Sequence, residues 1–146
     1  MKRLVMFCLV SVALVLFVQA GFSHCQIPCG IYGDQVRVDM MKEDITTIEK
    51  AMNQINTLSA QDEKNYNQIV RWVNAKEDHA NKIMETVSDY FLAQRIEFDT
   101  KAYKKKLIVL HEILVYAMKA KQSTDLAHVE KLKSLVEDFH KLYFKK

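Results

Sequence analysis

From Asp34 onward the chain repeats apolar residues at spacings of three and four. The first set is Val38, Met41, Ile45, Ile48, Met52 and Ile55. A second comprises Tyr66, Ile69 and Val73, then Ala80, Ile83, Val87 and Tyr90. Tyr103, Leu107, Leu110, Leu114 and Met118 form a third, and Val129, Leu132, Val136, Phe139 and Tyr143 a fourth. Each set lays an apolar stripe along one face of a helix. No glycine or proline follows Gly33, so no strong breaker interrupts these periods. The pattern predicts an all-α fold, an antiparallel four-helix bundle with short joins.

Local chemistry marks the boundaries. Asp34 is a candidate cap for the first helix, and Ser59 with Asp62 marks a break before the second. Asp99 or Thr100 is expected to cap the third, and Ser123 or Thr124 the fourth. Leu92 to Phe98 reads as the longest join. Lys76 interrupts the second stripe where a core residue belongs. It is either a snorkelling side chain or a charge that meets a neighbouring subunit.

The N-terminus follows a different pattern. Lys2 and Arg3 precede an apolar run from Leu4 to Val18, broken only by Ser11. That run is short for a membrane-spanning helix, which needs about 20 apolar residues, but it suits a signal peptide. Gly21 and Ser23 fit the small-residue positions of a cut before His24, and Val18 with Ala20 offers a competing cut before Gly21. The expected organisation is a signal peptide at 1–23, removed by a signal or processing peptidase, and one helical domain at 24–146. The product is then exported, periplasmic or secreted, with no stable membrane anchor after cleavage. An uncleaved anchor is the alternative.

Removal of Lys2 and Arg3 brings a formal charge of +3 close to neutrality, which gives no footprint for nucleic acid. Cys8 leaves with the signal, so Cys25 and Cys29 remain. One four-residue loop is too little for a disulfide scaffold, although a simple Cys25–Cys29 disulfide stays open. Metal sites in a bundle core need repeated carboxylate–histidine pairs. Glu137 and His140 make one Glu-x-x-His pair and no second exists. His111-Glu112 opens like a zinc-protease helix, but Val115 stands where the second histidine belongs. His79 and His128 read as surface or seam residues.

The densest chemistry lies in residues 24–33, His-Cys-Gln-Ile-Pro-Cys-Gly-Ile-Tyr-Gly. After a cut at Ser23, His24 offers a free amine and an imidazole beside the thiols of Cys25 and Cys29. Structural zinc sites use four closed Cys or His ligands, and this segment has only three such side chains. The amine and a backbone amide can complete a plane of nitrogen and sulfur, a geometry that favours Ni(II) or Cu(II). Ile27-Pro28 turns Cys29 back toward Cys25, and Gly30 lets the backbone leave.

His24-Cys25-x-x-Pro28-Cys29-Gly30-x-Tyr32 resembles the nickel hook of nickel-containing superoxide dismutases. Arg37-Val38-Asp39 and Ser88-Asp89-Tyr90-Phe91 resemble further segments of that family. The resemblance implies a homohexamer of four-helix bundles that disproportionates superoxide at one nickel ion per subunit. It implies that His24, Cys25 and Cys29 ligate the metal, through the amine and imidazole of His24 and the backbone nitrogen of Cys25 as well as the thiolates. Tyr32 and Tyr90 are implied to line the pocket, and Asp39 to orient the imidazole. Lys76 aligns near an arginine through which the family holds the histidine from another subunit. Two other readings compete: an exported helical nickel- or copper-binding protein without turnover, and a structural bundle with an N-terminal disulfide.

Overall fold

The computed structural model describes residues 30–145. Among these residues all regular structure is helical. Helix α1 is Asp34–Ser59, α2 is Tyr66–Glu85, α3 is Tyr103–Gln122 and α4 is Leu126–Phe144. Helix α2 continues without a break into a π-helical segment, Thr86–Arg95. None of the helices among the described residues is long and apolar enough to cross a membrane.

Cross-helix contacts give the directions. The start of α1 meets the π-helical segment and the end of α4, through Asp34 with Tyr90 and with Tyr143. The end of α1 meets the start of α4, where Asn56 donates to the Thr124 carbonyl. Lys76 in α2 reaches the end of α3. Each of these neighbouring pairs therefore runs antiparallel. The result is a helical bundle around one core.

The first stripe is buried throughout. So are Ala80, Ile83, Val87 and Tyr90 of the second, and Val129, Leu132, Val136 and Phe139 of the fourth. Tyr66 is 70% exposed, because α2 starts beyond the packed region. The third helix uses a different face from the one its spacing predicts. Lys106, Leu110, Ile113, Ala117 and Ala120 are buried, while Met118 is exposed and Tyr103, Leu107 and Leu114 only flank the core. This helix is apolar around much of its circumference, so two stripes fit its spacing. The small side chains of Ala117 and Ala120 settle which face packs.

Several boundaries differ from expectation. Gly33 occupies the cap position of α1, and Asp34 is its first helical residue with its side chain engaged elsewhere. Asn65 caps α2 by accepting from the Gln68 amide at 3.2 Å. Neither Asp99 nor Thr100 caps α3; Ala102 takes that position in a left-handed conformation, φ 60°. Asp125 caps α4, accepting from the Ala127 amide at 2.9 Å, while Ser123 Oγ accepts from the Asp125 amide. The second helical rod extends to Arg95, which shortens the expected join at Leu92–Phe98 from its front.

Lys76 is a buried capping group, neither snorkelling nor held out for a neighbour. It is 3% exposed, and its Nζ donates to the Ala120 carbonyl at 2.8 Å, to the Lys121 carbonyl and to Glu77 Oε1 at 3.0 Å. The last carbonyls of a helix lack intrahelical donors, and this ammonium supplies one at the negative end of the α3 dipole. A side chain satisfied by three acceptors inside the subunit does not serve as the intersubunit arginine's substitute.

Candidate active site

The site lies at the end of the bundle where α1 begins and where the π-helical segment and α4 end. Residues 30–33 lead into it. Gly30 turns the chain with φ +81°, a conformation that side-chain-bearing residues rarely adopt. Asp34 follows Gly33 and opens α1, where a carboxylate also suits the positive end of the helix dipole.

The Asp34 carboxylate gathers three side chains from two other elements. Its Oδ1 accepts from Tyr90 Oη at 2.6 Å and from Arg95 Nε at 2.9 Å. Its Oδ2 accepts from Arg95 Nη2 at 2.9 Å and from Tyr143 Oη at 2.8 Å. The arginine contact is bidentate, the strong form of this pairing. Burial alone raises the Asp34 carboxyl, but the hydrogen bonds from Arg95, Tyr90 and Tyr143 and the Arg95 charge outweigh it and hold the group below its ordinary value. Burial, then the hydrogen bond to this carboxylate and its charge, push both Tyr90 and Tyr143 up to about 12. Both phenols therefore stay protonated at neutral pH.

The π-helical geometry explains how two residues five apart share one partner. In an α-helix, Tyr90 and Arg95 would point about 140° apart. Here the hydrogen bonds run from residue i to i+5, as the Ile96 amide does to the Phe91 carbonyl at 3.0 Å. The wider turn brings both side chains toward Asp34. Gln94 lies in the same turn. Its amide nitrogen donates to the Asp89 carbonyl at 2.7 Å, and its Oε1 is buried without a partner among the described residues.

Aromatic rings complete the floor and the lip. Tyr90 packs edge-on against Phe91 at 5.1 Å, and Phe91 against Phe139 and Tyr143 at 4.8 and 5.5 Å. Tyr32 stands above, 41% exposed, with its ring edge-on to Tyr90 at 5.9 Å. The Arg95 guanidinium lies 4.2 Å from the Tyr32 ring centroid, and Arg37 lies 5.2 Å from that of Tyr90. Two cations therefore hold the faces of the two tyrosines.

The structure thus brings Tyr32 and Tyr90 together. It does not join Asp39 to them. Asp39 is exposed and accepts from Gln35 Nε2 at 2.8 Å, while Gln35 Oε1 meets His140 Nε2 at 3.0 Å. The carboxylate that Tyr90 meets at the start of α1 is Asp34 instead. His24, Cys25 and Cys29 lie outside the described residues, together with the rest of the hook before Gly30. Sequence reasoning missed three members of this site. Asp34 was legible only as a cap, Arg95 fell within an expected join, and Tyr143 looked like the last rung of an apolar stripe. The signal available for Tyr143 was its hydroxyl, which needs a partner when half-buried at a helix end.

Glu137, His79, His128 and His140, among the side chains considered as rival ligands, are engaged in other contacts. Glu137 pairs with Lys42 at 2.8 Å, and His79 Nδ1 meets Asp44 Oδ1 at 2.6 Å. His128 packs against Tyr116. Among the described residues no three His, Cys, Asp or Glu side chains gather into a metal site. Thiol and imidazole side chains occur together in sequence at His24, Cys25 and Cys29, ahead of Tyr32 and Asp34. Thiolate and imidazole donors suit nickel by softness.

An all-helical bundle with a tyrosine-lined, arginine-braced end, preceded in sequence by a Cys-x-x-x-Cys segment, is the class of protein defined by these features. A family model described as nickel-containing superoxide dismutase matches residues 18–146. The chain belongs to the nickel-containing superoxide dismutase family, and as such is an oxidoreductase with superoxide as substrate and nickel as cofactor. Comparison with curated proteins and with solved structures found no match.

Proposed function

We propose that the mature enzyme begins at His24 and works as an exported superoxide dismutase, periplasmic or secreted. In this reading residues 1–23 are a signal peptide removed by a peptidase, and 24–146 form the antiparallel four-helix domain with its metal-binding hook at 24–33. His24, through its amine and imidazole, and the thiolates of Cys25 and Cys29 hold one nickel ion per subunit. Nickel bound there supplies the one-electron couple needed to convert two superoxide ions and two protons into dioxygen and hydrogen peroxide. Asp39 orients the His24 imidazole, and the subunits assemble as a homohexamer. Exposed apolar side chains at the hook end of α1, Ile31, Val36 and Met40, support association on that side.

The observation that carries the reading is the Tyr32–Tyr90 pair braced by Arg95 and Arg37, with Tyr32 three residues after Cys29 in sequence. The Arg95 charge is matched by Asp34, whereas Arg37 has no carboxylate partner among the described residues and attracts an anionic substrate. Tyr90 keeps its proton because its hydroxyl is bound to Asp34. Tyr32 has no hydrogen-bond partner for its hydroxyl among the described residues, so it is free to donate to water or superoxide.

The test is turnover with nickel supplied to three purified forms, beginning at Met1, Gly21 and His24. A peptide nitrogen has no amine lone pair to offer, so only the form starting at His24 should disproportionate superoxide. Equal activity in all three would remove the amine from the ligand set. Nickel uptake by the His24 form without turnover would leave a passive nickel or copper carrier.

A further inference from the structure

A second charged feature lies beside the site and is not used by it. Lys106, in the first turn of α3, is 8% exposed. Its Nζ lies 5.1 Å from the Tyr143 ring centroid, and that ring is its sole partner among the described residues. Among the described residues no carboxylate and no hydrogen-bond acceptor meets it. Lys76, the other deeply buried lysine, has three acceptors. A buried ammonium without an anion or acceptor is costly, and a cation–π contact replaces only part of the lost hydration.

Lys106 borders an open cavity of about 260 Å³, together with Lys101, Ala102, Leu142 and Lys145. Three of these five residues are lysines and none is acidic. Lys101 and Lys145 are exposed and stand at the mouth, while Lys106 lies deeper. Ala102, in its left-handed conformation, ends the connection and starts α3 at the cavity wall.

We propose that this cavity binds a small multivalent oxyanion of the phosphate class. The anion supplies the counter-charge that Lys106 lacks, and Lys101 and Lys145 close over it with charge-assisted hydrogen bonds. A monovalent halide leaves two of the three ammonium groups unmatched, so the cavity selects for charge and for several acceptor oxygens. Tyr143 connects the two places, since its ring faces Lys106 and its hydroxyl binds Asp34.

The test is titration of the purified full chain with inorganic phosphate, followed by calorimetry and by the ring resonances of Tyr143. Sodium chloride at matched ionic strength is the comparison, and nickel is not required. The expected result is saturable binding of one phosphate per chain with a shift at Tyr143, absent with chloride. Lys106→Met should weaken binding at least about tenfold, the loss expected for one charge-assisted contact. Should that variant fail to fold by circular dichroism, the double variant Lys101→Ala, Lys145→Ala carries the test, because both side chains are exposed, and it should show the same loss. Phosphate and chloride responses that coincide, or unchanged phosphate binding in a folded variant, would overturn the proposal.

Discussion

Replacing Asp34 by asparagine isolates what the carboxylate does at the bundle end. Asparagine keeps the shape, but only one of its two terminal atoms accepts, so two of the four donor contacts would face an amide NH2 instead of an oxygen. Hydrogen bonds to charged groups contribute roughly 1.5–3 kcal/mol each. The Arg95–Asp34 side chains remain 24% and 17% exposed, so water recovers part of what is lost. A net destabilisation of about 2–3 kcal/mol is expected at neutral pH. The pH dependence has a definite sign. The Asp34 carboxyl is lowered in the folded protein, so its contribution is present above the ordinary carboxylate range and lost as pH falls through the folded value. Tyr90 and Tyr143 are raised from 10.0 to about 12, so theirs is present below 10.0 and lost as pH rises through about 12. The gap between parent and Asp34→Asn should therefore be widest near neutrality and close toward both extremes. Urea unfolding followed by circular dichroism measures the gap, and tyrosinate absorbance should show the two phenols titrating earlier in the variant. An unchanged unfolding midpoint together with an unchanged tyrosine titration would refute the assignment of Asp34 as the group that binds both phenols.

Three further outcomes are expected. Cys25→Ser and Cys29→Ser should each abolish bound nickel and superoxide turnover while leaving helicity unchanged, measured by elemental analysis, activity assay and circular dichroism. Lys76→Met should destabilise the subunit by about 1–3 kcal/mol in denaturant unfolding, because it leaves the Ala120 and Lys121 carbonyls without their donor. A charge in place of Ile48 or Leu110, both 0% exposed, should prevent folding, since burial of each large apolar side chain contributes roughly 1.5–3 kcal/mol and a buried charge costs more; circular dichroism and gel filtration report the outcome.

The helical body was legible because its signals are periodic and local. The Val38–Ile55 stripe contains only residues that the structure buries. The face of α3 was not legible, since a helix apolar on several sides is oriented by shape, and Ala117 with Ala120 fit where larger side chains do not. Tyr32 and Tyr90 were legible as a pair through the family resemblance and through the antiparallel register. Their setting was not. Asp34, Arg95 and Tyr143 are far apart in sequence, and each had an adequate local explanation that concealed its tertiary partner. Lys76 shows the same effect: a charge within an apolar stripe is read as exposed until the helix end that it caps is in view.

The widened turn at Thr86–Arg95 has a consequence for which changes this protein tolerates. Side-chain identity alone does not bring Tyr90 and Arg95 onto one carboxylate; residue count does. A single insertion between them, beside Ala93 for example, would put the two side chains about 120° apart around the rod while keeping every residue that touches Asp34. Tyr90 would stay with Phe91 on the aromatic floor, whereas the guanidinium would be carried around the rod and away from Tyr32. Point substitutions at exposed Ala93 should be comparatively harmless, and an inserted residue at the same place severe. In this stretch the bundle end is encoded by phase, and a comparison that counts only matching letters would overlook the change that matters most.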